Sequence, residues 1–251
     1  MTTVAHTNTA LFRQLAAAGW TPADLELARR AYELGRELVP GLFNGDGRPF
    51  VNHLVSVASL LQHYRRPPAT VIAGLLHSIY AHGDFGVLCS FDDARARIRT
   101  IGIPAEILVH GFHLLEWNTK GLHAHWADQG GTDPVRREVL VMRLVNELDH
   151  LVDGAALHRH DAGRYLTART ERMPIFVGLA AALGLPELGR DLEAALRAAT
   201  ALAEPIDLRE RSATPFVLLP ASARRAWLAR VARRQTDGTA RHLRSWPRRG
   251  G

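Results

Sequence analysis

Apolar positions recur along most of this chain at spacings of three and four residues, the period of a helix with one buried face. Leu25, Ala28, Tyr32 and Leu38 form one such face. Thr21-Pro22 with Asp24 predicts its start, as a capping hydroxyl, a proline in the first turn and an acid at the positive end. A Gly/Asp loop at Asn44–Gly47 separates it from a second helix marked by Val51, Leu54, Val55, Ala58 and Leu61, which Pro67-Pro68 ends. Val71, Ile72, Leu75, Leu76 and Ile79 predict a third helix, apolar on most sides and therefore central. Ser90 with Asp92 and Asp93 caps a fourth, and Pro104 opens a fifth that runs to about Trp117.

Thr119–Pro134 is the least regular stretch, with three glycines, two histidines and a tryptophan, and it is expected to be a binding loop or lid. Helical spacing resumes over Val135–Val152, Arg164–Phe176, Leu188–Ala203 and a basic Ala221–Arg234. Strand-like alternation is confined to a short piece, Phe216–Leu219. The expected fold class is all-α. We divide the chain into one domain over 1–205 and a basic extension over 206–251 that packs partly on it.

Charge changes this picture only at the end of the chain. The net charge of +6 divides into 20 basic and 23 acidic residues over 1–208, against eleven arginines, Glu210 and Asp237 over 209–251. The body is thus mildly acidic and the tail strongly basic. A solvated arginine-rich helix is the plain reading of that tail, and contact with a polyanion is its functional reading. Nucleic acid is not the expected partner of the body. Lys120 stands alone beside thirty arginines, a bias more of codons than of phosphate contacts. Cys89 is the single cysteine, which excludes an internal disulfide and a thiolate metal cluster. No apolar run is long enough to span a bilayer and the start of the chain has no secretory pattern, so a cytoplasmic protein with no membrane partner is expected.

The residues that carry chemistry are His53, the pair His77-Ser78, and Asn146, far apart in sequence and each on or beside a predicted helix. Five segments around them resemble, in order, the hydrolase domain of the bifunctional stringent-response alarmone synthetase/hydrolases of the HD superfamily. LARRAYELGRE is similar to that family's first helix, and GRPFVNHLVSVASLL to its G-E-P-Y-I-x-H-P-x-x-V-A-x-x-L segment. VIAGLLHSIYAHGDF is similar to A-A-L-L-H-D-x-x-E-D-T, EILVHGFHLLE to L-V-x-G-V-T-K-L, and MRLVNELDHL to K-L-A-D-R-L-H-N. The resemblance covers about residues 24–153 and implies an HD-like helical bundle with additional C-terminal helices.

It also implies a divalent metal held by two histidines and two aspartates, and here the chain departs from the pattern. Ser78 stands for the paired aspartate, Ala81-His82 for the Glu-Asp pair and Asn146 for the distant aspartate. Two imidazoles with neutral oxygens are a poor site for a divalent ion, so no metal cofactor is expected. Were one bound, His53, His77 and Asn146 would hold it. HSIY at 77–80 is similar to a subset of HD-derived proteins that carry the same four residues.

We therefore expect a small-metabolite enzyme, an isomerase, cyclase or lyase, working by histidine acid–base chemistry. His53, His77 and His82 are its candidate catalytic groups. Ser78, Tyr80, Asn146, His113 and Trp117 are candidate substrate contacts, the last two sharing one helix face. Ser78 is not expected to be a nucleophile, since no G-x-S-x-G elbow surrounds it. A metal-dependent phosphohydrolase of nucleotides or phosphorylated metabolites is the alternative, and a non-catalytic ligand- or partner-binding module is a third. Against all three stands the plain reading of each histidine as a satisfied core residue.

Overall fold

The computed structural model describes residues 4–86, 89–159 and 161–202. Among them the fold is all-α: the one extended pairing is an isolated bridge between Phe43 and Pro49. The helices are α1 (Asn8–Ala17), α2 (Pro22–Leu38), α3 (Phe50–His63), α4 (Pro68–Gly74), α5 (Ile79–His82), α6 (Phe91–Arg99), α7 (Ile103–Leu114), α8 (Thr119–Ala127), α9 (Pro134–Leu151), a 3-10 segment (Val152–His158), α10 (Ala162–Ala182) and α11 (Pro186–Leu202). No helix among the described residues is long and apolar enough to cross a membrane.

Local chemistry explains most boundaries. Thr21 caps α2 by accepting from the Asp24 amide, and Ser90 and Asp93 form a reciprocal capping box on α6. Asp133 caps α9 by accepting from the amides of Val135 and Arg136, with Pro134 in the first turn. Helix α1 was not expected from spacing, yet Leu11 and Leu15 are fully buried on it. The predicted third helix is two pieces, α4 and α5, joined by a turn over 75–78 that places His77 and Ser78 at the break.

Helices α3 and α9 form the middle of the bundle. α3 packs on α1, α2, α4 and α9, while α9 packs on α3, α4, α7, α10, α11 and the 3-10 segment. One apolar cluster runs from Ala5 through Leu61, Leu76 and Leu144 to Ala199. At the α3–α4 crossing a Cβ on Gly74 would come within 2.6 Å of Leu61 Cδ1 and 3.3 Å of the Ala58 backbone, so only glycine permits that approach. The crossing carries His53 on α3 toward the break that holds His77.

Two expectations are corrected here. Thr119–Ala127 is helix, not a lid loop. Asn118 caps it through the Gly121 amide, Leu122 is buried beneath it, and Trp126 lies against Gly178 of α10. Its last residues do turn, through the positive-φ Gly130 and Gly131, to reach α9. Second, α7 ends at Leu114, where Leu115 becomes extended, so His113 and Trp117 do not share a helix face. Phe216–Leu219, Ala221–Arg234 and the basic extension lie outside the described residues.

Candidate functional site

α3, the α4–α5 break and α9 bring His53, His77 and Asn146 together. The rings of His53 and His77 are 5.1 Å apart, edge to face, and His77 Nε2 lies 3.1 Å from the Asn146 amide. Both histidines are buried, at 2% and 1% exposure.

The centre of the group is a residue that spacing arguments passed over. Asp149 on α9, buried at 1%, accepts a hydrogen bond from His53 Nδ1 at 2.6 Å through its Oδ2. The same oxygen accepts from Arg48 Nη2 at 2.8 Å, and Arg48 Nε donates to Asp46 at 2.8 Å. Asp46 and Arg48 come from the Gly/Asp loop, which the Phe43–Pro49 bridge closes against α9. Asp149 lies three residues beyond Asn146 and so shares its helix face. That spacing was the available signal. His150 follows, its ring stacked on His53 at 4.9 Å and its Nδ1 3.5 Å from the Asn44 amide.

Charge and burial set the protonation of each group. Burial alone would raise the Asp149 carboxyl, but the His53 imidazole, their hydrogen bond and Arg48 outweigh it and hold the group well below the usual carboxylate range. Asp149 is therefore an acceptor only, and His53 Nδ1 carries the proton between them. Burial lowers Arg48, yet Asp149 and Asp46 overcome that and raise it. Burial first, and then the neighbouring His53 imidazole, holds His77 well below the ordinary histidine value. His77 Nδ1 is 2.7 Å from the Gly74 carbonyl and donates to it, so Nε2 of the neutral ring is an acceptor and Asn146 must present its NH2. His150 is half-buried and lines a cavity; burial above all, with His53 next, brings it down to about 3.

The other expected contacts are distributed more widely. His82 packs on Phe50, ring centroids 5.0 Å apart, and Phe50 packs in turn on His53 at 5.5 Å. Ser78 is half-buried at the start of α5 and makes no capping bond there. The Tyr80 hydroxyl donates to Glu106, a fully buried carboxylate that also accepts from Arg95 and Arg99, and His113 packs 5.6 Å from the Tyr80 ring. Tyr80 and His113 thus belong to a second polar cluster between α5, α6 and α7. Trp117 stacks on Phe176 and donates to Glu147 Oε1 at 2.9 Å. His125, expected in a loop, is a buried residue of α8 that pairs with the Glu116 carbonyl. Arg143 lies 3.6 Å over the Phe112 ring, with its Nε buried and without a hydrogen-bond partner among the described residues; burial lowers it to about 10.

His53, Asp149 and His150 offer ligand atoms within 4.8 Å of one another, the spacing of a three-residue metal site. His53 Nδ1 and Asp149 Oδ2 cannot both bind one ion as they stand. Two ligands on one tetrahedral zinc, each at about 2.0–2.2 Å, stand roughly 3.3 Å apart. His53 Nδ1 and Asp149 Oδ2 are 2.6 Å apart with a proton between them. The Arg48 guanidinium already neutralises the one carboxylate of the set and would repel a cation beside it.

Comparison with known proteins finds a distant similarity to GTP pyrophosphokinases. Residues 36–116 match a domain of unknown function, DUF6817. That stretch contains His53 and His77 and ends before α9. The chain is 25% identical over 177 residues to a GTP pyrophosphokinase of Streptomyces coelicolor and, over the same length, to one of Streptomyces antibioticus. These matches cover 68% of this chain but only 19% and 20% of the two relatives, so the chain spans about a fifth of their length.

Proposed function

We propose that this chain is a divergent HD-type domain that acts on a small metabolite by acid–base chemistry at His53, without the divalent metal of the intact superfamily. The observation that carries this reading is the buried His53–Asp149 pair with Arg48 behind it. An ionised carboxylate on Nδ1–H leaves the lone pair on Nε2, the tautomer a general base requires. Proton transfer from substrate to Nε2 forms an imidazolium that the adjacent Asp149 stabilises; return of that proton to another substrate carbon completes an isomerisation, and its delivery to the departing group an elimination. His53 does not itself line the cavity beside α9, so the His150 ring stacked on it moves aside to admit the substrate. His77, neutral and fixed on Gly74, is a positioning residue in this scheme: it holds Asn146 at the cavity edge. The resemblance in sequence and the GTP pyrophosphokinase relatives support an HD-type ancestry. In that ancestry Arg48 replaces a glutamate, Asn146 replaces a metal aspartate, and Asp149 restores one negative charge a turn later on α9.

The competing reading is a metal-dependent phosphohydrolase, which the clustering of His53, Asp149 and His150 favours. Turnover of a panel of small metabolites in the presence of a strong chelator tests the proposal. Activity that survives chelation and falls by about 10²-fold or more in His53→Gln is expected. Activity that vanishes with chelation and returns with one equivalent of metal per chain would establish the phosphohydrolase instead.

A further inference from the structure

We propose that the cavity between α9, the 3-10 segment and α10 is a phosphate-binding subsite, which seats a phosphorylated small metabolite with its reacting end toward His150 and Asn146. Its volume, about 470 Å³, suits a metabolite and not a macromolecule. Arg159, Arg164 and Arg169 line it against two carboxylates, Glu147 and Asp161. This leaves an excess of positive charge at one spot of a body that otherwise carries more acid than base.

The arginines are held for presentation. Arg159 bonds Asp161 through Nε at 2.9 Å and Nη2 at 3.3 Å, Arg169 bonds Glu147 through Nε at 2.9 Å and Nη2 at 2.8 Å, and both guanidinium groups lie over the Tyr165 ring, at 4.3 and 3.8 Å from its centroid, each with Nη1 left for a ligand. Gly45 permits the close approach of Arg159, since a Cβ there would stand 2.7 Å from its Nη1. Arg164 is 85% exposed and touches Asp161 only at 3.6 Å, so its guanidinium is available to close over a ligand.

One feature besides the arginines points to an anion. The Tyr165 hydroxyl is buried behind the cavity wall beside Arg169 and makes no hydrogen bond of ordinary geometry among the described residues, a cost that a ligand oxygen reaching it would remove. Burial also raises Tyr165, so the hydroxyl stays protonated and offers a donor. Arg164 and Tyr165 lie in the first turn of the long helix α10, and the Asp161 carboxylate at its N-cap already answers the positive end of that helix, so the arginines supply the positive charge of the cavity. Several donors converging from guanidinium and hydroxyl groups match the three free oxygens of a phosphomonoester better than the two of a carboxylate.

This inference deepens the acid–base reading by naming its substrate class, and the test separates the two. Inorganic phosphate and malonate are titrated into the full chain by calorimetry at fixed ionic strength. Saturable phosphate binding is expected, weakened about tenfold or more in Arg164→Gln and in Tyr165→Phe, since each removes a donor to the anion. Arg164 is exposed, so its variant keeps the fold, and melting curves check both. Absence of saturable binding at about 10 mM phosphate, equal affinity for malonate, or binding that survives both cavity variants and so belongs to the arginine-rich tail would each overturn the subsite. Phosphate binding without metal-free turnover would sink the catalytic reading alone.

Discussion

Asp149 Oδ2 and His53 Nδ1 lie 2.6 Å apart, both buried, although 96 residues separate them in the chain. Arg48 approaches the same carboxylate oxygen at 2.8 Å, so one aspartate organises an imidazole and a guanidinium from two different elements. Removing it should be costly. Asp149→Ala leaves a buried cation and an imidazole uncompensated, and a loss of about 3–5 kcal/mol in denaturant unfolding is expected. Asp149→Asn keeps the shape without the charge and should cost less, while abolishing His53-dependent turnover. Equal stability of Asp149→Ala and the parent would show that the pair is not formed.

Arg48 is expected to be what keeps a divalent ion out. Arg48→Ala frees an Asp149 oxygen and removes the repelling charge, leaving His53, Asp149 and His150 as three ligands. Zinc affinity, read by calorimetry or by a rise in melting temperature on adding zinc, should increase at least tenfold over the parent. If the parent already carries a full equivalent of metal after purification, the guanidinium does not exclude it.

Stability should fall steadily on acidification below neutrality. His150 titrates near 3 in the fold, below the ordinary histidine value, so between those limits the unfolded chain takes up a proton that the folded one refuses. Its contribution is complete above the ordinary value and is lost as the pH falls toward 3, at up to about 1.4 kcal/mol per pH unit. His77 is displaced in the same direction and adds to the slope. Asp149, depressed as a carboxylate, keeps its full contribution above the ordinary carboxylate value and loses it as the pH falls from there toward its lower folded value. His150→Gln should flatten the profile between pH 6.5 and 4 by about one proton. An unchanged slope would mean that His150 is solvated.

Hydrolysis of guanosine polyphosphates should be negligible despite the GTP pyrophosphokinase relatives. Ala81 and His82 stand where the resembling family has its Glu-Asp pair, and His82 packs on Phe50. Pyrophosphate release faster than about 1 per second, measured with the purified chain and added manganese, would contradict this.

Gly74 joins the fold to the site, since its carbonyl fixes His77 and its missing side chain lets α4 meet α3. Gly74→Val forces Leu61 and the Ala58 backbone apart, with an expected loss of about 1–3 kcal/mol or more. Because the crossing sets the distance from His53 to His77, the imidazole resonances of both should shift together in NMR spectra.

The sequence by itself determined the all-α class and most helix boundaries, because a 3.6-residue apolar period, capping hydroxyls and prolines are local signals read within one turn or two. It also brought His53, His77 and Asn146 to notice, through resemblance to segments that occur in a fixed order. It missed α1, whose burial depends on partners in α3, and it took α8 for a loop because glycines and histidines obscured the cap at Asn118 and the buried Leu122. Which charges meet was decided only in three dimensions. Nothing in LDHL says that Asp149 faces His53, or that Arg48 in a Gly/Asp loop reaches α9; both follow from the crossing of α3 with α9 and the closure of that loop. Distances across the bundle depend on how side-chain volumes pack between helices, and packing is a property of pairs of elements that no single segment encodes.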